Sequence, residues 1–327
     1  MEAEKHRPRW KTLLAFGIIY FVWGSTFLAI RVGVHEVPSF LFAAMRFVAA
    51  GVLLLGWTIA QGERAPTLRQ WPSVILLAFL IFFLDYGLLF WAEQRVPSGI
   101  AAVMMATIPA FMALSEIVLL RTQRLTLRLA VALLIGFAGV AVLTIPSLSL
   151  GEKAVDFRDA IALTIASISW SVASALTRKL PLPESKAVSS GAQMLAGGLL
   201  LTVASVTLGE FHNFHPSAVS RGAWFALVYL IVFGSIIGFT AYLWLLHHES
   251  PTKVGTYAYV NPVVAVLVGY CLGGEALGFR TIAGTLLIVV SVVVITTTSA
   301  KKAPETPADH MALVSQELNA LDDRSAQ

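Results

Sequence analysis

The sequence predicts an all-α membrane protein of ten transmembrane helices, arranged as two inverted five-helix repeats. Three observations carry that expectation: an apolar composition, ten apolar runs with short breaks between them, and residue pairs that recur at a nearly fixed offset. Of 327 residues, 57% are hydrophobic and 13% charged, against roughly 45–50% and about 25% in an average soluble domain. The mean hydropathy is +0.77. Such a chain has more apolar surface than an aqueous fold hides, which excludes a disordered or fibrous chain and an ordinary soluble enzyme.

A helix crosses the hydrocarbon with about 20 residues, so ten crossings take roughly 200 and leave room only for loops and tails. The apolar runs fall at 12–30, 38–60, 72–93, 98–120, 126–146, 158–177, 188–208, 222–245, 252–272 and 280–298, with charges, Pro and Gly setting the breaks. The first run follows Lys5, Arg7, Arg9 and Lys11 in the charge order of a signal peptide. It continues past Trp23 without a small-residue cleavage site, so it reads as a retained helix. Short connections such as Arg121 to Leu125 make successive helices antiparallel. The divisions are a cytoplasmic segment 1–11, a first repeat 12–146, a connecting loop 147–157, a second repeat 158–298 and a tail 299–327. Composition marks the tail as disordered, with at most one amphipathic helix near Met311 to Leu321.

Basic residues set the orientation, because cytoplasmic loops retain Lys and Arg. With both termini inside, sixteen Lys and Arg fall in inner segments and six in outer ones (Arg31, Arg95, Lys153, Arg158, Arg221, Arg280), while Arg46 lies within a span. The net charge of +4 is therefore topological, and no basic run interleaved with aromatics points to nucleic acid. The single cysteine, Cys271, lies in an apolar run and forms no internal disulfide.

The repeat is read from paired positions. Trp23, Arg31, Gly62 and Glu63 precede Trp170, Arg178, Gly209 and Glu210 by 147 residues, and the same register sets Arg46 against Gln193. Trp71 and Trp91 match Trp224 and Trp244 at 153, Pro97 matches Pro251 at 154, and Leu125, Arg128 and Thr144 match Leu277, Arg280 and Thr296 at 152. Five crossings per repeat turn the second half upside down. That arrangement is typical of secondary transporters, which bind substrate near the midplane between their halves.

Several segments carry a resemblance to a known family. They are Tyr20-Phe21-Val22-Trp23-Gly24-Ser25-Thr26-Phe27, Ala44-Met45-Arg46-Phe47, Val96-Pro97-Ser98-Gly99-Ile100-Ala101-Ala102, Ile108-Pro109, and Tyr259-Val260-Asn261-Pro262-Val263 followed by Gly274-Glu275. In this order, on a five-plus-five repeat, the chain resembles the EamA-type branch of the drug/metabolite transporter superfamily over about residues 12–298. The segment Glu93 to Ala102 is most similar to a subgroup of inner-membrane exporters. The second half keeps the Gly-Glu pair at the end of its fourth helix, where the first half has Gln123. The resemblance implies export or exchange of a small metabolite, often an amino acid or its derivative, across a bacterial inner membrane.

Polar groups inside the membrane are the candidates for the site, since an intramembrane charge is costly unless it is paired or faces water. Arg46 and Asp85 each lie about eight residues from the outer ends of their helices, roughly 12 Å deep. They either form a fixed bridge or share a cavity in which one of them meets a substrate charge. Glu116 reaches the cytoplasmic ion cluster or couples protons; Asp85 is the stronger proton candidate because it lies deeper. Trp23 and Trp170 occupy equivalent mid-span positions and wall a cavity or pack beside Gly24 and Ser171, whereas Trp91 and Trp244 lie near helix ends as interfacial anchors. Tyr86, Phe90 and Glu93 share a helical face, with Glu93 and Gln94 expected in solvent at the outer mouth. Gln193 faces the site as the counterpart of Arg46. Tyr259 and Asn261 stand beside Pro262, which frees a carbonyl one turn earlier, and Asn261 is a candidate hydrogen-bonding ligand.

No HExxH, GxSxG or GxxxxGK[S/T] sequence occurs, and there are no paired cysteine ligands. The pattern therefore calls for no enzyme activity, cofactor or metal, and His247-His248-Glu249 reads as a solvated loop. The expected partners are a small-molecule substrate and the lipid bilayer. A channel or uniporter stays open as the alternative function. Homodimerisation stays open too, because small residues suited to helix contact occur throughout the chain.

Overall fold

The apolar runs form helices in a computed structural model that describes residues 9–115, 117–118, 126–144, 155–177, 179–248 and 257–300. In chain order they are α1 (Trp10–Val34), α2 (Ser39–Ala60) and α3 (Trp71–Glu93), then α4 (Ser98–Met105, resumed as Ile108–Ser115). There follow α5 (Leu127–Thr144), α6 (Phe157–Leu176), α7 (Lys186–Thr207), α8 (Arg221–Tyr242), α9 (Tyr257–Gly273) and α10 (Phe279–Ala300). No strand occurs among the described residues. Among the described residues, six helices, α1–α3 and α6–α8, are long and apolar enough to cross a membrane; α4, α5, α9 and α10 contain shorter apolar stretches. Large apolar side chains such as Leu53, Trp57, Phe225, Leu272 and Leu286 are exposed, the surface that suits contact with lipid.

Local chemistry sets the ends. Asp156, Ser185 and Ser220 cap α6, α7 and α8 with their own side chains. At α2 and α4 the capping positions are Pro38 and Pro97, which supply no side-chain acceptor. Gly62, Gly209 and Gly274 follow α2, α7 and α9 at φ +89°, +71° and +63°, the left-handed region in which only glycine is unstrained. Two boundaries differ from the sequence expectation. The first helix runs on to Val34, and α4 breaks at Ala106-Thr107. Pro109 has no N–H to give the Met105 carbonyl, and at this break Thr107 Oγ1 donates to the Met104 carbonyl at 2.7 Å.

The repeat reappears as paired contacts. A Cβ on Gly51 of α2 would lie 2.5 Å from the backbone N of Leu195 on α7, and one on Gly198 would lie 2.6 Å from the N of Val48. Gly51 and Val48 become Gly198 and Leu195 on adding 147, so the two contacts are equivalents of each other. On α5 and α10, Gly136 meets Ser291 and Gly139 meets Ile288, again equivalents at an offset of 152. In both pairs numbers rise along one helix as they fall along the other, so equivalent helices cross antiparallel. Gly51→Val and Gly198→Val are therefore expected to be similarly harmful, each by at least about 2 kcal/mol, because a backbone cannot yield as a side chain does. Gly56→Ala, which meets nothing within 4 Å, is expected to be neutral or mildly stabilising. Yield of monodisperse protein and melting temperature of the three variants check this.

Among the described residues, wider π-helical segments include Ile18–Val22 in α1, Phe79–Tyr86 in α3 and Leu230–Ile237 in α8. Those in α3 and α8 occupy corresponding mid-helix positions of the two halves. Such segments locally re-aim side chains and are frequent at functional sites.

Candidate functional site

Arg46 projects from α2 into the interface between halves and is 1% exposed. Its Nε donates to Ser235 Oγ in the π segment of α8 at 3.1 Å. The guanidinium carbon lies 4.7 Å from the Phe47 ring centre, 5.1 Å from that of Tyr86 and 6.0 Å from that of Phe90, within cation–π range. Gly234 makes the approach possible: a Cβ there would sit 3.2 Å from Nη2 and 2.9 Å from Thr26 Cγ2. Nη1 of Arg46 has no hydrogen-bond partner.

The bridge to Asp85 does not form; no Arg46–Asp85 ion pair occurs among the described residues. Asp85 is 1% exposed, and its Oδ1 has no hydrogen-bond partner. The expectation assumed α-helical winding, whereas π winding through Phe79–Tyr86 changes which residues share a face and brings the Tyr86 ring to the guanidinium.

The two mid-span tryptophans each lie against the opposite half. Trp23 meets Phe239 edge-on at 5.5 Å, and Trp170 meets Tyr86 edge-on at 6.1 Å. Phe239 is the counterpart of Tyr86 at offset 153, so these contacts are another symmetric pair. Trp23 is held further: its Nε1 donates to the Gly234 carbonyl at 3.1 Å, and Tyr242 and Tyr257 pack against it. Gln193 is buried, and its Nε2 donates to Ser189 Oγ on its own helix at 2.9 Å. Asn261, with its amide turned to satisfy its neighbours, donates to the Tyr20 and Ile19 carbonyls at 3.2 Å and the Tyr257 carbonyl at 3.3 Å. It thereby ties α9 to the π segment of α1. The Tyr259 side chain and Glu116 lie outside the described residues.

Glu93 departs from the expectation of a solvated mouth. It is 0% exposed, neither carboxylate oxygen has a hydrogen-bond partner, and Glu275, Arg31 and Arg46 lie within electrostatic reach. The helix ends at this level are drawn together across the two halves, which encloses Glu93. Glu275 accepts from Ser98 N at 2.6 Å, Ser98 Oγ at 2.7 Å and Gly99 N at 3.0 Å, and pairs with Arg31 Nε at 3.5 Å. Glu210 accepts from Phe40 N at 3.3 Å and Leu41 N at 2.8 Å. Arg95 Nε donates to both carboxylate oxygens of Asp159 at 3.1 Å. Glu36 accepts from Ser220 N and Oγ, each at 2.6 Å, which holds its carboxyl below the usual carboxylate range. That exposed contact is thus formed at neutral pH and lost as pH falls through the lowered value.

All these ties join one half to the other, and together they gather one end of the molecule. Glu210 and Glu275 supply, from the opposite half, the N-terminal acceptors that Pro38 and Pro97 lack. Both glutamates stand out in the sequence, one within the repeat and one within a motif, but a cap contributed from more than 160 residues away leaves no local signature. At the other end, Gln70 Nε2 donates to the Leu182 carbonyl at 3.2 Å.

The comparisons with known proteins agree with this two-part construction. The sequence model of the EamA-like transporter family matches twice, at residues 10–145 and 159–297. The inner membrane transporter YedA of Escherichia coli (strain K12) is 40% identical over 261 residues, which cover 79% of this chain and 82% of that protein. The transporter YvbV of Bacillus subtilis (strain 168) is 23% identical over 290 residues, 88% of this chain and 92% of the relative. A crystal structure 23% identical in sequence shares the fold with a TM-score of 0.60, over 91% of this chain and 100% of that one. With a family unit in each half, a multi-helical apolar fold and a 40% identical relative, the chain belongs to the EamA-like transporter family.

Proposed function

We propose that the chain is a secondary transporter that moves a small amino-acid-like metabolite across a bacterial inner membrane by alternating access. In this reading ten helices span the bilayer as two inverted repeats, 12–146 and 158–298, joined by 147–157. The segments 1–11 and 299–327 are cytoplasmic, and the gathered end faces outward. The observation that carries the reading is the reciprocal seating of equivalent residues, Trp23 on Phe239 and Trp170 on Tyr86, around one buried arginine at the interface of the halves. Halves related in this way have two equivalent ways to tilt, each closing one end.

Arg46 is the anchor for a substrate carboxylate: Nη1 is unpartnered and the planar fork suits bidentate pairing. Tyr86, Trp170, Trp23 and Phe239 supply aromatic walls for an apolar portion. Asp85 and Glu93 are buried carboxylates with unpartnered oxygens near this level, and either one serves a substrate ammonium or a coupled proton. Gln193, Asn261 and Tyr259 are the further polar candidates that the sequence offers for contact with the substrate.

Counterflow in proteoliposomes loaded with a mixed amino-acid and metabolite pool tests the reading. Saturable exchange of one compound class, accelerated by substrate on the far side, is expected for the wild type. Rapid linear flux without trans-acceleration would instead make the protein a channel. Asp85→Asn is expected to abolish exchange driven by a pH gradient while membrane insertion is retained. Unchanged gradient-driven flux in that variant would end the proton role of Asp85.

A further inference from the structure

The gathered end is closed by a device that occurs more than once. A helix ends in a glycine at positive φ, the next residue is glutamate, and its carboxylate caps a helix of the other half whose own capping position is a proline. Gly209-Glu210 does this to α2, and Gly274-Glu275 does it to α4. The third positive-φ glycine, Gly62, is also followed by glutamate, Glu63, at the opposite end of the molecule.

The repeat register says what Glu63 corresponds to. Adding 147 turns Gly62-Glu63 into Gly209-Glu210, and the amides that Glu210 holds, Phe40 and Leu41, become Ala187 and Val188 at the start of α7. In this structure Glu63 is exposed. The Val188 N–H meanwhile rests on Ser185 Oγ at 3.4 Å, the long end of the hydrogen-bond range. One half of a symmetric pair of caps is made, and the other is unmade with both of its components present.

We propose that Glu63 is the inner latch of the transport cycle. When the outer end opens and the inner end closes, its carboxylate caps the N-terminus of α7 at Ala187 and Val188, as Glu210 caps α2 in the outward-closed state. The inference rests on the alternating-access reading above and adds a positioning residue to it. In both states a carboxylate stands at the positive end of a helix dipole: at α2 it meets amides that Pro38 leaves uncapped, and at α7 it takes the Val188 N–H over from the long bond to Ser185 Oγ. Glu63 and Glu210 are thus never both engaged, and each glutamate stabilises the state that the other leaves. The second outer latch has no acidic counterpart, because position 123, equivalent to Glu275, is glutamine. In this reading Glu63 is the carboxylate latch of the inner end, beside the tie from Gln70 to the Leu182 carbonyl.

The test uses spin labels on the full chain with Cys271→Ala, reconstituted in lipid. One pair, at Arg64→Cys and Lys186→Cys, reports the inner end. A second pair, at His35→Cys and Arg221→Cys, reports the outer end. All four sites are surface positions next to the latches. Glu210→Gln is expected to raise the inner-closed population roughly fivefold to tenfold, with shorter inner and longer outer distances. Glu63→Gln is expected to shift the ratio the opposite way, and the double variant to return close to the wild-type ratio. Glu63 is exposed, so its substitution leaves folding intact, which size-exclusion profiles check. An inner-closed population that appears in Glu210→Gln but is unchanged by Glu63→Gln overturns the latch and leaves alternating access standing. Failure to find a second distance population in either pair, in any variant, overturns both.

Discussion

Arg46→Ala is expected to reduce exchange at least about 100-fold while the protein still folds. Two consequences combine. Charge-assisted hydrogen bonds are worth roughly 1.5–3 kcal/mol each, and a substrate carboxylate would lose a bidentate pair of them. The Nε bond to Ser235 also ties α2 to the π segment of α8, so its loss removes a contact between halves at the level of the site. The fold itself loses less. The nearest surroundings, Phe47, Tyr86 and Phe90, are aromatic, and removing the charge leaves Ser235 Oγ without this donor and takes one of two nearby cations from the buried Glu93, which keeps Arg31. Arg46→Lys separates charge from geometry: the ammonium keeps the charge but not the planar fork, and exchange is expected to fall about tenfold. Counterflow rates at matched protein density check both variants. Wild-type exchange in Arg46→Ala would remove the arginine from the site.

The second large effect falls on closure. Glu275→Ala deletes three hydrogen bonds onto the start of α4 and removes the partner of Arg31 in one substitution. Breaking a buried pair from one side costs roughly 3–5 kcal/mol, and the partial exposure of Arg31, 23% for its side chain, lowers the expectation to about 2–3 kcal/mol. Pro97 offers no side-chain replacement for the cap. The variant is expected to melt lower and to admit membrane-impermeant thiol reagents to a cysteine placed at Ala101, which is 0% exposed near the start of α4. Glu275→Gln keeps one carbonyl acceptor and is expected to fall between the two. A variant with wild-type melting and accessibility would mean that Glu275 does not hold the end closed.

The fold was legible because its evidence is periodic and additive. Apolar runs of membrane-crossing length and pairs such as Trp23 and Trp170 survive uncertainty at any one position, and the family match divides the chain close to the place the repeat register does. The site was legible in its members more than in its geometry. Arg46, Tyr86 and the two tryptophans were identifiable as polar or aromatic groups at mid-span. Their neighbours were not, because the π segments in α3 and α8 shift side-chain directions without a change in hydropathy. Glu93 illustrates the second limit. A glutamate at a helix end is ordinarily solvated, and Glu93 is 0% exposed where distant caps gather the helix ends. The ties from Glu36 to Ser220 and from Arg95 to Asp159 belong to the same class, visible as residues and invisible as pairs.

Alternating access requires that the end closed in this structure open for substrate to cross. A reversible cross-link tests it most directly. Cysteines replace Glu36 and Ser220, which are in contact across the halves, in a Cys271→Ala background, and a short bifunctional thiol reagent joins them in proteoliposomes. Exchange is expected to stop in proportion to the cross-linked fraction and to return on reduction. Undiminished exchange in fully cross-linked protein would contradict the account.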